Sequence, residues 1–130
     1  MGVIVHWCSC RQSLASTAAH EAELSGTVTG TKLGIGIRNI VNELVDDLTN
    51  MKLDQDNKGT INTITHEVTS WRTRHYATRA AWIRDIIQEE KIEVEHVKGV
   101  DIVADPLTKV LSKTKLVQSR EKLQLTNQER

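Results

Sequence analysis

Three carboxylates stand in three different kinds of local sequence. Glu23 opens a long apolar-periodic run within Glu21-Ala-Glu-Leu24. Asp56 ends a short strand-like stretch and sits beside Asn57 in Leu53-Asp-Gln-Asp-Asn57. Asp105 lies in Ala104-Asp-Pro-Leu-Thr-Lys109, after a second strand-like stretch. Carboxylates at a helix start, a strand end and a late helix can converge on one edge of an α/β sheet. Hard oxygen donors gathered in this way suit Mg²⁺. Two such ions about 3.5–4 Å apart can position a water and steady the leaving oxygen of a phosphodiester. Asn57 could add a hydrogen bond to that site. Each carboxylate alone has a plainer reading as a solvated side chain, and Glu23 also as a helix-start residue favoured by the dipole.

Other reactive side chains form weaker patterns. His6, Cys8 and Cys10 share one face of a predicted strand, and His20 follows. Zinc sites need a matching downstream ligand pair, which this chain lacks, so the face reads as packing. His66-Glu67 has no histidine at zincin spacing. Gly34-Ile-Gly36 follows no strand, which excludes a dinucleotide fingerprint. The segment Trp71-Arg-Thr-Arg-His-Tyr76 sets Arg72, Arg74 and His75 between two aromatics. Such cations hold backbone phosphates and such rings stack on sugar or base; a solvated helix start is the alternative.

The elements that must position these groups follow from periodicity. Residues 3–10 are β-branched and aromatic and read as a strand, and residues 11–17 as a loop. Ser16 or Thr17 is placed to cap a helix running from Ala18 to about Leu48. Glycines at 26, 30, 34 and 36 interrupt it, each costing roughly 1 kcal/mol against alanine. Gly26, Gly30 and Gly34 share a face, so they mark either close packing or a break near Gly34-Ile-Gly36. Met51 to Gln55 reads as a strand, Asn57 to about His66 as a short helix, and Trp71 to Glu90 as a second long helix. Lys91 to Val97 alternates as a strand does, and Lys98-Gly99 turns the chain. Asp101 to Ser112 is predicted helical with Pro106 in its first turn, and the tail beyond Gln118 is expected to fray. This strand–helix alternation argues an α/β fold with a partly parallel sheet.

Composition sets the bounds. A chain of 130 residues fits one domain with a modest core. Three Trp, one Tyr and no Phe leave that core to Ile, Val, Leu and Ala. Lys plus Arg and Asp plus Glu both number 17, so the overall basic excess of a non-specific nucleic-acid binder is missing. Local basic patches remain, at Arg72, Arg74, Arg79 and Arg84 and at Lys109, Lys113, Lys115 and Arg120. Cys8 and Cys10 are too close along a strand to favour a disulfide. No signal peptide or membrane-spanning run is evident, so a soluble, intracellular protein without membrane contact is expected, cytoplasmic or nuclear.

Taken in order, these motifs resemble the ribonuclease H domain of copia-type long-terminal-repeat retrotransposon polyproteins. The resemblance is carried by Trp7-Cys-Ser-Cys-Arg-Gln12, Glu21-Ala-Glu-Leu24, Asp56-Asn57, Arg72-Thr-Arg-His75 and Ala104-Asp-Pro-Leu-Thr-Lys109. It covers residues 2–120, which implies a ribonuclease H-like domain over 1–120 and a polar tail over 121–130. It implies that Glu23, Asp56 and Asp105 are catalytic and ligate Mg²⁺ or Mn²⁺. Arg72, Arg74 and His75 would contact an RNA–DNA hybrid whose RNA strand is cut during reverse transcription. The rest of a Pol polyprotein, including its reverse transcriptase, is the implied partner. The family begins with two further strands, the first bearing another catalytic Asp, and no counterpart of them precedes Val3. The expected fold is thus α/β and ribonuclease H-like but partial, with the first two strands missing. Two outcomes stand side by side: a metal-dependent endoribonuclease, or a catalytically dead fragment that binds nucleic acid or another protein.

Overall fold

The computed structural model of the chain describes residues 4–9, 19–45, 50–66, 76–104, 106 and 110–124. Along them run α1 (Ala19–Leu44), β1 (Lys52–Gln55), α2 (Lys58–Thr65), α3 (Ala77–Glu89), β2 (Glu93–His96) and α4 (Lys113–Lys122). β1 and β2 pair in parallel, with Leu53 opposite Val94 and Gln55 opposite His96. Parallel neighbours need a crossover, and α2 and α3 supply it. The class is therefore mixed α/β. Alternation along β1 turns Leu53 and Gln55 inward and leaves Lys52 and Asp54 exposed. On the outer face Lys52 pairs with Glu95.

Leu24 of α1, Ile64 of α2, and Tyr76, Ala80 and Ile83 at and along α3 form the core. Leu53, Val94, Val28, Trp82 and Ile87 pack against it. Among the described residues six hydrophobic side chains are buried, and four threonines (Thr27, Thr31, Thr60 and Thr63) are buried with them. The expected aliphatic core is thus supplemented by hydroxyls, three of which are hydrogen-bonded. The exception is Thr31, fully buried with its Oγ1 unpartnered among the described residues. A buried unsatisfied hydroxyl costs about 1–3 kcal/mol. Thr31→Val keeps the branched shape and should raise the urea-unfolding free energy by about 1 kcal/mol. A variant no more stable than the parent would mean that the hydroxyl has a partner after all.

Several expectations need correction. Residues 4–9 form no strand, and all six are exposed. A strand needs a neighbour, and among the described residues β1 and β2 pair only with each other. The first long helix runs unbroken through its glycines. Close packing accounts for Gly34, which lies against the Met51 side chain, but Gly26, Gly30 and Gly36 face open space. None of the described residues between Asp101 and Ser112 is α-helical, although Pro106 lies in a 3₁₀ turn. The helix starts instead where the Ser112 side chain caps the Lys115 amide. α4 then extends past Gln118 to Lys122, where fraying was expected, with Arg120 and Lys122 in its last turn. Cations there complement the helix dipole. The loop and caps expected at 11–17 lie outside the described residues.

The ends of α2 and α3 have identifiable causes. Asn57 caps α2 by accepting from the Thr60 amide at 3.2 Å. Arg84 donates to the carbonyls of Thr63 and His66, at 2.8 and 3.0 Å, and so closes the other end. α3 stops at Lys91, which adopts φ 50°, while the Ile92 amide reaches back to the Ile87 carbonyl at 2.9 Å. That left-handed reversal turns the chain directly into β2.

Candidate functional site

Asp56 stands at the carboxyl end of β1, where the ladder finishes with the Val97 amide donating to the Gln55 carbonyl at 3.0 Å. The next two amides, of Asp56 and Asn57, have no strand partner. Both donate to Gln55 Oε1, at 2.9 and 3.1 Å. The Asp56 carboxylate is half-buried and accepts no hydrogen bond among the described residues. Its Oδ2 lies 3.1 Å from the point where a Cβ on Gly99 would stand. Glycine at 99 therefore leaves the carboxylate its room. Gly99 also lines a cleft of about 560 Å³, walled by Val100, Ile102, Val110 and Leu111, with Lys115 of α4 at its edge. Asn57 was expected to assist the carboxylates, but its side-chain oxygen is spent on the α2 cap.

Glu23 is exposed on α1, directly before the fully buried Leu24. Its carbonyl accepts from Thr27 Oγ1 at 2.8 Å. Thr27 Oγ1 in turn accepts from Gln55 Nε2 at 2.9 Å. One hydrogen-bonded chain thus joins the Glu23 turn to the Asp56 backbone.

A second contact lies one turn earlier. His20, set aside as a zinc ligand, places Nδ1 3.3 Å from Thr60 Oγ1 and Nε2 3.2 Å from Thr63 Oγ1. Thr63 gives its only hydroxyl proton to the Gly59 carbonyl at 2.9 Å. In the neutral ring Nε2 is therefore the donor, and Nδ1 accepts from Thr60. Tyr76 meets the His20 ring edge to face, with centroids 5.4 Å apart. Burial, and then the negative charge of Glu21, push the Tyr76 phenol above its ordinary 10.0. The folded state then holds this proton more tightly than the unfolded chain does. Its stabilising share is complete below pH 10.0 and is lost as the pH rises through and beyond that value. Urea unfolding between about pH 9 and 11.5 should show a steeper alkaline loss for the parent than for Tyr76→Phe. Equal slopes would remove Tyr76 from the account.

The other expected site residues divide in two. Asp105, Arg72, Arg74 and His75 lie outside the described residues. Arg79 and Arg84, expected to grip phosphate, are half-buried and employed internally. Arg79 donates to Ser25 Oγ at 3.2 Å, and Arg84 caps α2. His6 and Cys8 are exposed, and Cys10 lies outside the described residues. No group of three or more His, Cys, Asp or Glu among the described residues is arranged to hold a metal ion. The carboxylates of Glu23 and Asp56 offer the hard oxygens that Mg²⁺ or Mn²⁺ takes, and glycine at 99 sets no Cβ against Asp56 Oδ2.

Sequence reasoning missed Gln55, Thr27 and Gly99. A signal existed for Gln55: alternation along β1 puts an amide on the same inward face as Leu53. No helix among the described residues is long and apolar enough to cross a membrane. In comparisons with known proteins, the chain matches no family model, no curated protein and no solved structure.

Proposed function

We propose that this chain is a ribonuclease H-like domain of the copia retrotransposon type that hydrolyses the RNA strand of an RNA–DNA hybrid. The observation that carries the reading is the tie between a strand-end aspartate and a helix-borne glutamate. Gln55 and Thr27, 28 residues apart, hydrogen-bond to each other and to the backbones of Asp56 and Glu23. Parallel strands joined through helices, with Asp56 at a carboxyl end, suit the same reading.

In this proposal Glu23, Asp56 and Asp105 supply the oxygens that hold Mg²⁺ or Mn²⁺. The bound ions supply Lewis acidity to the phosphodiester and acidity to the attacking water. The residues of the chain do the rest. Gln55 fixes the strand end from which Asp56 projects, and Gly99 keeps its carboxylate unobstructed. Arg72, Arg74 and His75 would hold the backbone of the hybrid. The remainder of a Pol polyprotein, with its reverse transcriptase, is the proposed partner.

The test is incubation of the full chain with an end-labelled RNA–DNA hybrid. RNA-strand cleavage that needs Mg²⁺ and both Glu23 and Asp56 is the expected result. Salt-sensitive binding without cleavage would overturn the nuclease reading and leave a nucleic-acid-binding module.

A further inference from the structure

We propose that Gln55 and Thr27 are positioning residues for the carboxylate site, a hydrogen-bonded strut that fixes how Asp56 leaves β1 relative to the Glu23 turn. The inference rests on the reading that Glu23 and Asp56 act together. Gln55 is 7% exposed and Thr27 6%. A polar pair that deep is costly unless its groups are bonded, and here the bonding has one direction. Gln55 Oε1 faces two amide donors, those of Asp56 and Asn57. Nε2 must then face Thr27, so Thr27 Oγ1 accepts from it and gives its own proton to the Glu23 carbonyl. Reversing the Gln55 amide would set its donor group against two N–H donors.

A leucine or valine pair would pack those positions at lower cost. What the polar pair adds is control of the two amides just past the ladder, where the chain bends at Asp56. They are the two backbone groups whose placement decides the direction in which the Asp56 carboxylate projects. The other end of the strut grips the helix at the residue bearing the second carboxylate.

The test uses the full ¹⁵N-labelled chain with MnCl₂ as the probe. Thr27→Val keeps the shape of the side chain and removes the hydroxyl. It should speed hydrogen exchange at the Asp56 and Asn57 amides about fivefold and leave the ladder amides of Glu93 and Val97 unchanged. It should also raise the Mn²⁺ midpoint for paramagnetic broadening at Glu23 and Asp56 by about tenfold. Thr27→Ser restores the hydroxyl and should recover both properties. Gln55→Met cuts the strut at its other end and stands in where Thr27→Val does not fold, with the same two readouts.

Unchanged exchange and an unchanged Mn²⁺ midpoint in Thr27→Val would overturn the proposal. Faster exchange spread evenly over the ladder, without recovery by Ser, would also overturn it and assign the pair to general stability. Absence of saturable broadening in the parent chain overturns the carboxylate reading itself, and the strut with it, whatever the amides do.

Discussion

Leu24→Ala should lower the unfolding free energy by about 3 kcal/mol. Leu24 has no exposed surface, and it is the single α1 residue in the central cluster with Ile64 and Ile83. Deleting the Cγ methine and its two methyl groups removes their transfer energy and leaves a cavity between helices that cannot slide together freely. α1 is held at Gln55 and at His20, and α2 is held at both of its ends. With six buried hydrophobic residues among the described ones, little else compensates. Domains of this kind have only about 5–15 kcal/mol in total. Urea unfolding followed by circular dichroism measures the difference. A loss below about 1 kcal/mol would mean that the site collapses around the smaller side chain, or that Leu24 is not enclosed.

On the nuclease function proposed above, Asp56→Asn should abolish cleavage of the RNA–DNA hybrid, lowering the rate by at least about a hundredfold, while the melting temperature stays close to that of the parent. The two expectations have one origin. The Asp56 carboxylate accepts no hydrogen bond among the described residues, so the fold gains little from its charge. The amide keeps the shape and removes the anionic oxygen that a hard cation requires. Glu23→Gln removes the other anionic oxygen and should likewise lower the cleavage rate. The double variant should be no slower than the worse single one, because ligands of a shared ion fail as a unit. Multiplied losses in the double variant would show that the two carboxylates serve separate steps. Full activity in either single variant would remove that residue from the site.

The legible part of the fold was the part written in apolar periodicity. Leu24, Val28, Ile64, Ile83 and Val94 recur at helical or strand spacing; α1, β1, α2 and β2 appear within a few residues of their expected bounds, while α3 begins at Ala77 and its expected start at Trp71 lies outside the described residues. Two failures have different causes. The β-branched run Val3-Ile4-Val5 carries a strand propensity, but pairing is a property of two segments, and one segment's sequence does not disclose its neighbour. α4 is the reverse case: its face is nearly all polar, so no periodic signal marks it, and its start depends on one serine cap. In the candidate site, Glu23 and Asp56 stand out in the sequence by their flanking residues, and their joint role is the proposal made above. Gln55 was legible only through the alternation that places it with Leu53 on the inward face, and Thr27 carried no such signal. The threonines on α1 and α2 were hidden likewise, as a scale of hydrophobicity treats them as surface residues although four of them are buried.

The register that sets Lys52 beside Glu93 joins residues with two helices between them. No tight hairpin can hold such a pair while the intervening helices come apart. Closing that long excursion carries its entropy before any inter-strand bond repays it. Local fraying at one strand therefore has no private, low-cost route: releasing β1 from β2 means releasing the helical excursion as well. Hydrogen exchange at the paired strands Lys52–Gln55 and Glu93–His96 should therefore follow that of α2 and α3 rather than precede it.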